Sequence, residues 1–285
     1  MKSTRCFFTQ LFFVLSLLLL FSNSVQAETT ECTAITSLPY TISTQGIYCL
    51  KGNLATSMTS GSAIEINTNN VVIDLNGYKL GGLGAGPGTL ARGIYAYQRQ
   101  NITIKNGTVR GFMYGIDLRD TGSYATSQAH LVENIRADMN TWVGINVHGR
   151  GNIVRNNQVV DTGGSTPAAL AVGIAINGPG NRVINNDVYE TVAGGTNSFG
   201  IYFQAANGSV AENSRVGNSV LPPTGSYSYG IYIYSSNDTL ISNNRITTMV
   251  NGILFYPGST GKYRNNLTSG CTTPFTGGTD AGGNH

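Results

Sequence analysis

Charge is scarce in this chain. Only 11% of its 285 residues are Asp, Glu, Lys or Arg, and 17 basic against 14 acidic residues leave a formal net charge of +3, where ordinary domains are roughly 25% charged. A coiled coil, a charged disordered tail and a basic nucleic-acid-binding surface are all excluded. Long hydrophobic runs are missing as well. The longest, Leu11–Phe21, has 11 residues, short of the ~20 that cross a bilayer as a helix. It follows Lys2 and Arg5 and precedes the small-x-small site Val25-Gln26-Ala27, so residues 1–27 are predicted to be a cleaved signal peptide and the remainder secreted or periplasmic, with no membrane span. Removing the two basic residues of that segment leaves 15 − 14 = +1. No electrostatic partner is implied by so small a balance. Cysteine is equally sparse: after the signal only Cys32, Cys49 and Cys271 remain, and in an oxidising compartment Cys32 and Cys49, 17 residues apart around a Pro-Tyr turn, are the expected disulfide.

What the chain has in excess is glycine and asparagine, 37 and 29 residues, together about 23%. Neither is scattered. A Gly-Ile pair recurs at Gly93, Gly115, Gly144, Gly173, Gly200, Gly230 and Gly252, with periods of 22, 29, 29, 27, 30 and 22 residues. Such periods belong to the coils of a solenoid. Most of these pairs are followed by x-Asn or Asn-Asn before a β-branched residue, as at Asn106, Asn156-Asn157, Asn185-Asn186, Asn213, Asn243-Asn244 and Asn265-Asn266. Asn tolerates the left-handed backbone of a tight corner, and its amide can bond to an Asn stacked above it, so the corners are expected to carry asparagine ladders. Alternation places Ile94, Ile116, Ile145, Ile174, Ile201, Ile231 and Ile253 inside, with Ala96, Leu118, Val147, Ile176, Phe203, Ile233 and Phe255 two residues on.

The segments "VVIDLNGYKLGG", "NITIKNGTVRGF", "IVRNNQVV" and "LISNNRIT" resemble the right-handed parallel β-helix of the pectate-lyase-like superfamily, over roughly residues 62–268. The resemblance implies an all-β, single-stranded right-handed parallel β-helix of about eight coils. We therefore expect an N-terminal cap over residues 28–61, the β-helix over 62–270 and a C-terminal tail over 271–285. The superfamily includes lyases, epimerases, glycosidases, esterases and non-catalytic binding proteins, so fold alone does not name a reaction.

With the inward set fixed, the outward positions of the Gly-Ile strand follow coil by coil: Tyr95 and Tyr97, Asp117 and Arg119, Asn146 and His148, Ala175 and Asn177, Tyr202 and Gln204, Tyr232 and Tyr234, Leu254 and Tyr256. Longer gaps before several of these strands, and an insertion at residues 121–129, are expected to wall the face into a groove. Aromatic rings with amide and phenol groups suit sugars, so Tyr95, Tyr97, Asn177, Tyr202, Gln204, Tyr232, Tyr234 and Tyr256 are candidate substrate-binding residues. Exposed strands favour Tyr for structural reasons too.

Asp117, Arg119, Asn146 and His148 are the candidate catalytic cluster, on neighbouring coils ~4.8 Å apart. Elimination from a uronic acid needs its carboxylate neutralised and its C5 proton removed. Arg119 with Asn146 could neutralise, and His148, Tyr95 or Tyr97 could act as base. Reprotonation on the other face would give epimerisation. The string Tyr114-Gly-Ile-Asp117-Leu-Arg119-Asp120 resembles the Tyr-Gly-Phe-Asp-Pro-His-Glu motif of mannuronan C5-epimerases, matching at Tyr114 and Asp117, with Arg119 where that motif has its histidine. A glycosidase needs paired carboxylates, and this face supplies only Asp117. No cofactor or metal is expected, because Asp74, Glu133, Asp161 and Asp187 fall on scattered corners.

Two functions therefore stand open. One is an exported enzyme, a lyase or C5-epimerase of an acidic polysaccharide. The other is a non-catalytic secreted β-helix that binds surface glycans as an adhesin or structural rod. Both imply a polysaccharide or surface glycan as partner, no nucleic acid, and a monomer.

Overall fold

The computed structural model describes residues 31–285, and the expected signal peptide lies outside them. Over this range the chain is almost entirely strand and turn. Ten strands, Tyr40–Ile42, Ser62–Ile66, Arg92–Tyr97, Tyr114–Arg119, Val143–His148, Ala171–Asn177, Ser198–Gln204, Ser228–Tyr234, Asn251–Phe255 and Thr273–Thr276, stack in sequence order into one sheet. Every pairing is parallel, and each isoleucine of the repeat sits beside the next, as Ile116 does beside Ile94 and Ile145. Tyr40–Ile42 and Thr273–Thr276 extend the stack at its two ends beyond the coils legible from the repeat.

Shorter strands form two further stacks, joined where Ile102–Arg110 and Leu131–Asp138 run through a corner. One turn of chain thus crosses three faces. Between them lies a single long core in which all seven repeat isoleucines are fully buried, each worth roughly 1.5–3 kcal/mol of transfer free energy. Cys32 and Cys49 form a disulfide with 5.8 Å between their Cα atoms. Cys271 is a free, half-buried thiol that burial pushes above its ordinary pKa.

The repeated glycine is required by packing. A Cβ on Gly173 would lie 2.5 Å from Val188 Cγ1 and 2.6 Å from the Gly200 carbonyl oxygen. On Gly200 it would meet Val216 Cγ1 at 2.2 Å, and on Gly230 it would meet Ile246 Cγ2 at 2.5 Å. Glycine and isoleucine therefore both point inward. Strict alternation breaks at this step, and the residue before each glycine is turned to the outer face of the sheet.

The asparagines divide two tasks between neighbours. Asn156, Asn185, Asn243 and Asn265, the first of each pair, take φ of 55°, 56°, 57° and 52° at the corner, the left-handed region that Asn adopts at little cost. Their neighbours Asn157, Asn186, Asn244 and Asn266 are buried and form the ladder. The Asn186 side-chain oxygen accepts the Asn157 backbone N–H at 3.0 Å, and its amide donates to the Val154 carbonyl at 2.9 Å. Where the sequence has Asn213-Ser214, the Ser214 hydroxyl accepts from the Asn186 backbone N–H and keeps the ladder unbroken.

Candidate functional site

Outward positions of the ten-stranded sheet come in threes per coil, because the residue before each glycine joins the two read from alternation. The added row is Arg92, Tyr114, Val143, Val172, Phe199 and Tyr229. With Ala175 it forms a second apolar cluster outside the solenoid, against which Met113, Trp142, Tyr202 and Tyr232 pack. The signal for this row was in the sequence: a bulky residue stands directly before most repeat glycines.

A groove of about 420 Å³ crosses five successive strands of this face, from Tyr114–Arg119 to Ser228–Tyr234. Of the sequence-derived candidates, Arg119, Asn146, His148, Asn177, Tyr202, Gln204, Tyr232 and Tyr234 line it, with Tyr114, Trp142, Leu170 and Phe199 added. Tyr97 and Tyr256, 43% and 45% exposed, lie outside its lining. Tyr95 is also outside, with the Arg92 guanidinium over its ring at 4.6 Å. A hollow of about 660 Å³ on another part of the solenoid has Lys79 and Arg110 among its lining and no comparable cluster of rings. The chemistry therefore concentrates on the smaller groove.

Asp117 is fully buried beneath this groove. Its carboxylate accepts Arg92 Nε at 2.8 Å, Arg119 Nε at 2.9 Å and Asn146 Nδ2 at 2.7 Å. No part of it is left for a ligand. Asn146 is committed in turn, since its side-chain oxygen accepts from Asn177 Nδ2 at 3.3 Å. Asp117 and Asn146 are thus engaged by neighbouring side chains of the sheet. They hold Arg119, whose guanidinium also lies 4.8 Å above the Tyr114 ring, an arrangement a lysine could not reproduce.

Burial pushes the His148 pKa down to about 4, with Asp117 pulling the other way. The imidazole is therefore neutral at neutral pH. Burial raises Tyr202 and Tyr232 to about 12, and their phenols stay protonated. Rings continue along the groove, with Tyr202 stacked on Tyr232 at 5.6 Å and Phe199 on Tyr229 at 5.0 Å. The Trp142 indole N–H is buried without a partner among the described residues.

The insertion at 121–129 walls one side. Tyr124, at its tip, reaches the His148 ring with 6.4 Å between centroids. Asp120 anchors this loop by accepting the backbone N–H groups of Thr121, Thr126 and Ser127 and the Thr126 hydroxyl. Burial tends to raise its pKa, and these bonds bring it below the usual value. His130 lies at the foot of the same loop, fully enclosed, with Nε2 at 2.7 Å from the Ser127 hydroxyl and Nδ1 accepting the Ile102 N–H. It supports the wall and does not line the groove. Among the described residues no three His, Cys, Asp or Glu side chains converge to hold a metal ion.

A family model described as the right handed beta helix region matches residues 127–283, more than half the chain. No curated protein matches the sequence. Among solved structures, the pectate lyase Pel9A aligns over 84% of this chain and 70% of its own, at 17% identity and a TM-score of 0.53. The periplasmic alginate epimerase AlgG aligns over 84% and 69%, at 11% identity and a TM-score of 0.48. The A-module of the Azotobacter vinelandii mannuronan C-5 epimerase AlgE4 aligns over 87% and 88%, at 12% identity and a TM-score of 0.45. At such identities the likeness is one of fold. By the family match, this chain belongs to the right-handed β-helix proteins.

Proposed function

We propose that the protein is an exported carbohydrate-active β-helix protein that removes the C5 proton of a uronic acid unit in an acidic polysaccharide, as a lyase or C5-epimerase. The observation that carries this reading is a neutral histidine beside an anchored arginine in an aromatic groove. Arg119 spends its Nε on Asp117, which leaves the terminal N–H groups of its fork for a substrate carboxylate. Charge neutralised there acidifies the C5 proton. His148 is unprotonated over the working range and is the base. Tyr202 and Tyr232 hold their protons too tightly for that role and suit hydrogen-bond donation to the substrate oxygens.

The test is incubation of purified protein with alginate, pectate and related polymers, following absorbance near 235 nm for unsaturated ends and solvent deuterium uptake at C5 for epimerisation. Neither signal from any acidic polymer would refute catalysis. A second reading, glycan binding without turnover, is favoured by the bonding of Asp117 and Asn146 to each other, to Arg119 and to Asn177, which leaves no acidic side chain in the groove lining to take part in proton transfer. His148→Ala separates the two: it abolishes turnover under the first and leaves glycan affinity nearly unchanged under the second.

A further inference from the structure

The groove is charged at one end only. Arg119, the one charged residue of its lining, sits on its first strand beside the neutral His148 of the second, and the remaining lining from Leu170 onward is Leu, Val, Ala, Asn, Phe, Tyr and Gln. No Lys or Arg occurs between residues 156 and 181 or in the loops 192–197 and 218–227. Arg182, Arg215, Arg245, Lys262 and Arg264 lie on strands of the other faces, and Arg215 is paired with Asp187 at 2.8 Å. Tyr232 also lines the next hollow, with Tyr229 and Tyr256, so the uncharged floor continues one strand further.

We propose that the acidic polymer taken by this groove is a heteropolysaccharide in which each charged sugar is flanked, toward the C-terminal end of the solenoid, by uncharged units. The inference rests on the acidic-glycan reading above and narrows its substrate class, away from homopolyuronates. The groove runs across the strands, so a glycan lying in it meets a new coil roughly every 4.8 Å, close to the length of one sugar ring. A homopolyuronate brings a carboxylate to every such step. Past Asn177 these charges would lie against a row of aromatic side chains, with no cation in the lining to offset the loss of water. The C–H face of a neutral sugar meets the same rings favourably. Exposed apolar side chains on the loops before these strands, Leu170, Val220 and Leu221, continue the same character.

Trp142 is the only tryptophan of the chain and lines the groove, so its fluorescence reports occupancy. The experiment titrates the full chain at physiological salt with gellan and hyaluronan oligosaccharides, whose glucuronates are separated by neutral sugars. Polygalacturonate and polymannuronate of equal length, and neutral dextran, are titrated alongside. The mixed polymers are expected to bind about tenfold tighter than the homopolyuronates, and Tyr232→Lys is expected to narrow that gap by improving homopolyuronate binding. Homopolyuronates binding as tightly as the mixed polymers would overturn the proposal while leaving the acidic-glycan reading intact. Dextran binding as well as the mixed polymers, or no response to any polymer, would overturn both.

Discussion

Replacing Asp117 with Asn tests whether the site is built on one buried carboxylate. The substitution keeps the volume, removes the charge and places an NH2 group where one of two accepting oxygens now stands, Oδ2 taking Arg92 and Oδ1 taking both Arg119 and Asn146. Breaking one partner of a fully buried ion pair costs about 3–5 kcal/mol. Here the Arg92 and Arg119 side chains are 28% and 31% exposed, so water recovers part of the loss, and about 2–3 kcal/mol is expected. For a domain of this size that lowers Tm by about 4–12 °C. Circular dichroism and Trp142 fluorescence, melted in parallel, measure it. Acidic-glycan affinity should fall with it, since Arg119 loses its anchor. Adding Arg92→Gln should cost less than the sum of the single changes, because both remove the same contact. A Tm within about 2 °C of the parent, or strictly additive losses, would show that these charges do not depend on one another.

Three further outcomes follow from the packing and the histidines. Gly173→Ala should destabilise by about 1–3 kcal/mol through overpacking against Val188 and the Gly200 carbonyl, whereas Gly194→Ala, with nothing within 4 Å of its new Cβ, should be near neutral in denaturant titrations. Burial lowers both His130 and His148 to about 4 in the folded protein, below the ~6.5 of an unfolded histidine. Between those values the unfolded chain binds protons that the native state refuses, so stability is full above about pH 6.5 and falls as pH drops toward 4. For the enclosed His130 this amounts to about 3 kcal/mol, and urea titrations of His130→Asn at pH 7 and pH 4.5 should show a smaller difference than the parent. If His148 is the base, kcat/KM should persist on acidification until pH approaches 4; a fall centred near 6.5 would remove it from that role.

The repeat fixes the solenoid from sequence because each of its marks answers a local constraint. Glycine stands where a Cβ would strike the next coil, isoleucine fills the core, and asparagine closes the corner. Period-2 counting then places Asp117, Arg119, Asn146 and His148 on one face, which the parallel register brings together. It does not reveal that Asp117 and Asn146 are consumed in holding Arg119, since which outward side chains bond to which depends on the rotamers they take between neighbouring coils. Arg92, Phe199 and Tyr229 escaped strict period-2 counting for another reason: the bulky residues before the glycines are visible in the sequence, but two successive inward residues shift the alternation, and the packing at Gly-Ile shows to which face they turn.

Sequence by itself determined the coil, its core and the face where chemistry could stand, because these repeat and are set by near neighbours along the chain or the stack. Tertiary structure alone decided which of the exposed residues are free to act. Residues 25 to 31 apart in sequence, Arg92 with Asp117, Asp117 with Asn146, Asn146 with Asn177, meet across neighbouring coils and settle their bonds there. Which donors remain for a ligand is what such bonds leave over, and no one-dimensional pattern records it.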